Sequence, residues 1–131
     1  MGHTYTNILI HALFSTKGRQ PWLTPEMREE VFCYLRGTLN ELRGQSLLVN
    51  GPLDHAHMLF DHPRTLSIAT VLEKVKANSS GWVKERWPER GYFGWQTGYA
   101  AFSLSKSNVA QVKRYISNQE EHQGFSQPRR G

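Results

Sequence analysis

Residues 53–60 read Leu53-Asp54-His55-Ala56-His57-Met58-Leu59-Phe60, just after the turn-forming Asn50-Gly51-Pro52. Side chains alternate along a strand, so His55, His57 and Leu59 point one way and Ala56, Met58 and Phe60 the other. The second set suits a core covered by helices. The first puts two imidazoles about 6.5–7 Å apart on an open sheet face. Two neutral imidazoles side by side are good ligands for a divalent metal. The same pair also fits a chance pair of surface histidines.

Upstream, residues 4–15 alternate as well. Ile8, Ile10, Ala12 and Phe14 share one face, and Leu9, His11 and Leu13 the other. Lys17-Gly18-Arg19 is a basic turn. Thr24-Pro25-Glu26 reads as an N-cap, a Pro at the first helical position and a first-turn acid. Met27, Val31, Leu35, Leu39 and Leu42 then form a helical stripe that Gly44 closes. Leu47-Leu48-Val49 is a short strand, and the histidine strand runs from His55 to about Asp61. Ser67 can cap a second helix carrying Ile68, Val71, Leu72, Val75 and Trp82, which Pro88 ends. Residues 92–104 read as one long strand or two short ones. Ser105 or Ser107 caps a third helix with the stripe Val109, Val112 and Ile116. The order β-α-β-β-α-β, then α, predicts an α+β, ferredoxin-like antiparallel sheet with an added C-terminal helix. Right-handed crossovers put the first two helices on one face and the first and third strands side by side in the centre.

The chain has 131 residues, the span of one domain over 1–131, with a loose polar tail at 124–131. Sixteen Lys and Arg against eleven Asp and Glu leave a net charge of +5, which favours polyanionic partners. No apolar run approaches a membrane span, and Met1-Gly2-His3-Thr4 lacks the regions of a signal peptide. The single Cys33 reads as a core or boundary residue in a reducing compartment, so a cytoplasmic location is expected.

Tyr115 lies at the edge of the third helix's stripe, with Gln119 one turn further on the same face. Packed over the open sheet, that helix could bring a phenol and an amide oxygen to the histidines. The set then contains a nucleophile, two nitrogen ligands and an oxygen ligand, suited to Mg²⁺ or Mn²⁺ at a phosphate. Alone, Tyr115 also reads as an ordinary boundary tyrosine. His11 belongs to the same sheet face and could line the site. Lys17, Arg19, Lys74 and Lys76 are candidate DNA-backbone contacts, or simply a solvated basic face. His3, His62 and His122 read as surface residues, and Trp82 and Trp87 as core or dimer surface.

His55-Ala56-His57 resembles the HUH motif, and Tyr115-Ile116-Ser117-Asn118-Gln119 resembles the tyrosine helix of the single-tyrosine transposases of the IS200/IS605 insertion-sequence group. Phe14-Ser15-Thr16-Lys17-Gly18-Arg19 and Trp95-Gln96-Thr97-Gly98-Tyr99-Ala100-Ala101-Phe102-Ser103 also look like that family, so the likeness covers roughly residues 5–122. It implies a transposase that cuts and rejoins single-stranded DNA at insertion-sequence ends through a 5′-phosphotyrosine link. Tyr115 would be the nucleophile, and His55, His57 and Gln119 would hold Mg²⁺ or Mn²⁺. It also implies a homodimer, recognition of DNA hairpins, and a tyrosine helix that can sit against the partner's histidines. The family usually continues past this helix, often with a His-His-Arg sequence, where this chain reads His122-Gln123-Gly124 and ends at Gly131. The alternatives are an inactive remnant of such an enzyme, or a non-catalytic ferredoxin-like module that binds nucleic acid on its open sheet.

Overall fold

A computed structural model describes residues 8–119. His3, His122 and the 124–131 tail lie outside the described residues. Four strands, β1 (Leu9–Ser15), β2 (Gln45–Asn50), β3 (His55–Asp61) and β4 (Ala100–Leu104), form one sheet in the order β2-β3-β1-β4. All three pairings are antiparallel, and β1 and β3 are central. The helices are α1 (Pro25–Glu41), α2 (Ile68–Arg86) and α3 (Val109–Ser117). This is the expected α+β, ferredoxin-like arrangement with an added helix.

The alternation in the sequence decides the layers. Ile10, Ala12 and Phe14 from β1 and Ala56, Met58 and Phe60 from β3 are buried beneath α1 and α2. Met27, Val31, Leu35 and Leu39 of α1 are fully buried in that core, as are Val71, Leu72 and Val75 of α2. Each such side chain contributes about 1.5–3 kcal/mol relative to exposure. The opposite face carries His11, Leu13, His57 and Leu59, and α3 lies across it.

The helix ends differ from their sequence signals in detail. Ser67 caps α2 as expected, its hydroxyl accepting from the Thr70 N–H at 3.1 Å. Thr24 occupies the α1 N-cap position without a side-chain cap bond; its carbonyl accepts from Met27 and Arg28 instead. At the other end of α1 the left-handed residue is Arg43 (φ 75°), and Gly44 follows it. Gly44 is small for a different reason: a Cβ there would meet the Asp61 carbonyl at 3.0 Å and Pro63 at 3.1 Å. Ser105 starts a short 3-10 turn, Lys106–Asn108, and α3 begins after it. In the aromatic stretch 92–104 only Ala100–Leu104 forms a strand. Trp95 makes a single bridge to Thr16, and Gly98 at φ 92° turns the chain between the two. Cys33 is exposed, because it points away from the α1 stripe. His62 is buried, with Nε2 donating to the Leu66 carbonyl at 2.7 Å, since the strand end tucks it under the following turn.

The hairpin between β2 and β3 sets the position of the histidine strand. A Cβ on Gly51 would fall 2.2 Å from the His55 carbonyl oxygen and 3.1 Å from the Ala56 Cα, both backbone atoms. Gly51→Ala therefore forces the turn off the strand, at a cost of about 1–3 kcal/mol. Thermal melting will show a lowered midpoint; an unchanged midpoint would mean that the turn relaxes at no cost.

Candidate active site

β1 and β3 present His11 and His57 to the same face, and the register sets Leu13 opposite His57 and Leu59 opposite His11. The diagonal brings the two rings together, stacked at 5.1 Å with His11 Nε2 and His57 Nδ1 2.9 Å apart. His55 lies two residues before His57, with ring centroids 4.9 Å apart. α3 closes the arrangement from above. The Tyr115 ring stands edge-on to His57 at 5.7 Å and to His11 at 6.2 Å. Gln119, one turn on, is buried, and its Nε2 donates to the Tyr115 carbonyl at 3.3 Å. His55, His57, Tyr115, Gln119 and His11 thus meet in one place.

The strand histidines are oriented by different partners. His55 Nδ1 is 2.8 Å from Asp54 Oδ1, which leaves Nε2 as the nitrogen directed outward for ligation. That hydrogen bond holds the Asp54 carboxyl below its usual range. Burial opposes the shift, while the charges of His55 and of Arg19, at 3.5 Å, add to it. His57 is almost fully buried, and burial pushes its pKa down to about 3, helped by the neighbouring His55 and His11. The Gln119 amide lies near enough to oppose that shift, yet His57 Nε2 makes no hydrogen bond within the described residues. Burial also lowers the His11 pKa. A buried, neutral imidazole with an orphaned nitrogen fits a metal ligand better than a structural histidine, because an unsatisfied buried polar atom costs about 1–3 kcal/mol. Among the described residues no three His, Cys, Asp or Glu side chains are arranged to hold a metal ion by themselves, so a metal here would take an amide oxygen with the two imidazoles.

Two residues without a sequence signal support the site. Asn50, at the end of β2, donates through Nδ2 to the carbonyls of Ile116 at 3.0 Å and Ser117 at 3.4 Å, fastening the last turn of α3 to the sheet. Asp54 orients His55. Neither carries a spacing or periodicity that could have marked it; Asp54 was visible only as the neighbour of the first histidine.

The basic candidates disperse. Arg19 joins the site through Asp54, and Lys17 is exposed in the turn after β1. Lys74 and Lys76 are on α2, across the sheet from the histidines, because that helix covers the core face. Lys76 is committed to the fold: its ammonium donates to the carbonyls of Gln96 at 2.7 Å and Gly98 at 2.6 Å, and burial lowers its pKa. Trp82 and Trp87 are half-buried on the helix side, where Trp82 stacks on Tyr34. No helix among the described residues is long and apolar enough to cross a membrane.

The chain is similar to several proteins described as transposases. The family model "Transposase IS200 like" matches residues 4–119. The transposases for insertion sequence element IS200 of Salmonella typhimurium LT2 and Salmonella typhi are each 28% identical over 128 residues, 92% of this chain and 82% of theirs. A Deinococcus radiodurans protein solved as a transposase candidate superposes with a TM-score of 0.73 at 21% identity, covering 92% of this chain and 97% of that one. A REP-associated tyrosine transposase bound to a REP hairpin superposes at 0.60 with 8% identity, covering 91% and 68%. These two likenesses show the fold.

Proposed function

Because the chain belongs to the IS200-like transposase family of DNA-cleaving enzymes, we propose that it cuts and rejoins single-stranded DNA at insertion-sequence ends, with Tyr115 as the nucleophile. The observation that carries the reading is the convergence of Tyr115 and Gln119 from α3 on the His55/His57 pair. In the first step the Tyr115 hydroxyl oxygen bonds to the scissile phosphorus, and the bond from phosphorus to the 3′ oxygen breaks. The phenol gives up its proton to solvent and the departing 3′ oxygen gains one. The product is a 5′-phosphotyrosine link and a 3′-OH. That link preserves the energy of the phosphodiester, so a second 3′-OH can reverse the step without ATP.

His55 Nε2, His57 Nε2 and the Gln119 amide oxygen would hold Mg²⁺ or Mn²⁺. When bound, such a cation neutralises charge on the phosphate and on the transition state. For His57 to ligate through Nε2, its proton must sit on Nδ1 and be donated to His11 Nε2. His11 is therefore a positioning residue that fixes the tautomer, as Asp54 does for His55. The solved relative that carries a hairpin supports a hairpin DNA partner for this chain.

The direct experiment is incubation with single-stranded insertion-sequence ends and Mn²⁺, followed by a denaturing gel. A covalent protein–DNA adduct is expected. Its absence on every family end sequence tried, with the protein folded and bound to DNA, would favour the non-catalytic binding module.

The protein is proposed to work as a homodimer. β2 and β4 are the edges of the sheet, and unpaired edges invite association. Light scattering will give twice the 15.1 kDa chain mass. A particle of one chain mass at all concentrations would contradict it.

A further inference from the structure

Phe102 is 57% exposed, a large apolar side chain on β4 that the core does not use. It stands directly opposite His11 across the β1–β4 pairing, with ring centroids 6.2 Å apart, so it faces the same side as the histidines. Between it and Tyr115, itself 48% exposed, lies an open cavity of about 410 Å³. Leu104 and Val112 give it apolar walls, and the Asn108 and Gln111 amides sit on its lining. None of its lining residues is acidic.

We propose that this cavity receives the base adjoining the scissile phosphate, stacked on Phe102, so that Phe102 sets the strand's position over Tyr115. The proposal rests on Tyr115 being the nucleophile. The occupant follows from where the cavity opens. Tyr115 is part of its wall, so a phosphate within bonding distance of the phenol leaves a neighbouring nucleotide within reach of Phe102. An exposed aromatic ring flanked by apolar walls accepts any base through its π-face, and nearby amides can hydrogen-bond base edges. The lack of acidic groups removes repulsion from the attached phosphates.

The test uses the full chain carrying Tyr115→Phe, which cannot form the adduct, and a pool of single strands of randomised sequence with 5-iodouracil in place of thymine. Irradiation and mass spectrometry are expected to locate a crosslink at Phe102. Anisotropy with the same pool is expected to show about 5- to 100-fold weaker binding for Phe102→Ala, near-full binding for Phe102→Trp, and a loss for Phe102→Leu close to that of alanine. Leucine keeps the apolar surface and loses the ring, so full binding by Phe102→Leu would overturn stacking. Crosslinks confined to other residues would overturn the site. Conversion of the particle to half its mass by Phe102→Ala would also overturn it, by assigning the ring to a contact between copies. A crosslink at Phe102 when wild-type protein forms no adduct on insertion-sequence ends would keep the cavity and refute the nucleophile. An adduct without the crosslink would do the reverse.

Discussion

Tyr115→Phe is expected to give a folded protein that binds single-stranded DNA and forms no covalent adduct with it. The side chain is about half exposed at the edge of α3, and the packing of that helix rests on Ile116, which is fully buried. Losing the hydroxyl therefore costs the fold about 1 kcal/mol at most. The chemistry loses the atom that bonds to phosphorus, so adduct should fall at least about a thousandfold, below detection. Its chain neighbours Arg114 and Ile116 bring no hydroxyl or thiol. The measurement is a denaturing gel with 5′- and 3′-labelled strands, alongside binding by anisotropy. Adduct retained in the variant would mean that another residue attacks.

The second large effect concerns the metal. Mn²⁺ titration followed by calorimetry or electron paramagnetic resonance should show a graded series. His55→Ala and His57→Ala should lose specific binding altogether. Asp54→Asn should bind about 10- to 100-fold more weakly, because the ligand remains while the carboxylate that orients it loses its charge. His57→Ala also leaves a hole in a buried position, so its melting point will fall. His55 is more open, and its variant keeps the test valid if the other does not fold. Wild-type affinity in all three variants would remove the metal site from this face of the sheet.

The fold was legible because two strands alternate so cleanly. Ile10, Ala12 and Phe14 against His11 and Leu13, and Ala56, Met58 and Phe60 against His55 and His57, fix which face each strand buries. Face, order and handedness then leave few topologies. Spacing alone put the two histidines on one face of their strand, and Tyr115 and Gln119 on one face of their helix. What spacing could not supply was contact across strands. The bond between His11 and His57 depends on the diagonal of the β1–β3 register, and the hold of Asn50 on α3 joins residues 66 positions apart. Lys76 shows the same limit from the other side. Its charge suggested a phosphate contact, but the long side chain is turned onto the carbonyls of the 92–98 segment, which no local pattern reveals.

The attachment of α3 has a consequence for local stability. β1 and β3 are hydrogen-bonded on both sides, and β3 is buried from Ala56 to Phe60, so their amides can exchange with solvent only when the whole sheet opens. α3 is nine residues long, buries only Ile116, and is fastened by the Asn50 carboxamide. Peeling it away breaks far fewer interactions than unfolding the sheet. The protein is thus divided into two cooperative units of unequal strength. The imidazoles belong to the slow-exchanging one, and the phenol belongs to the one that opens first.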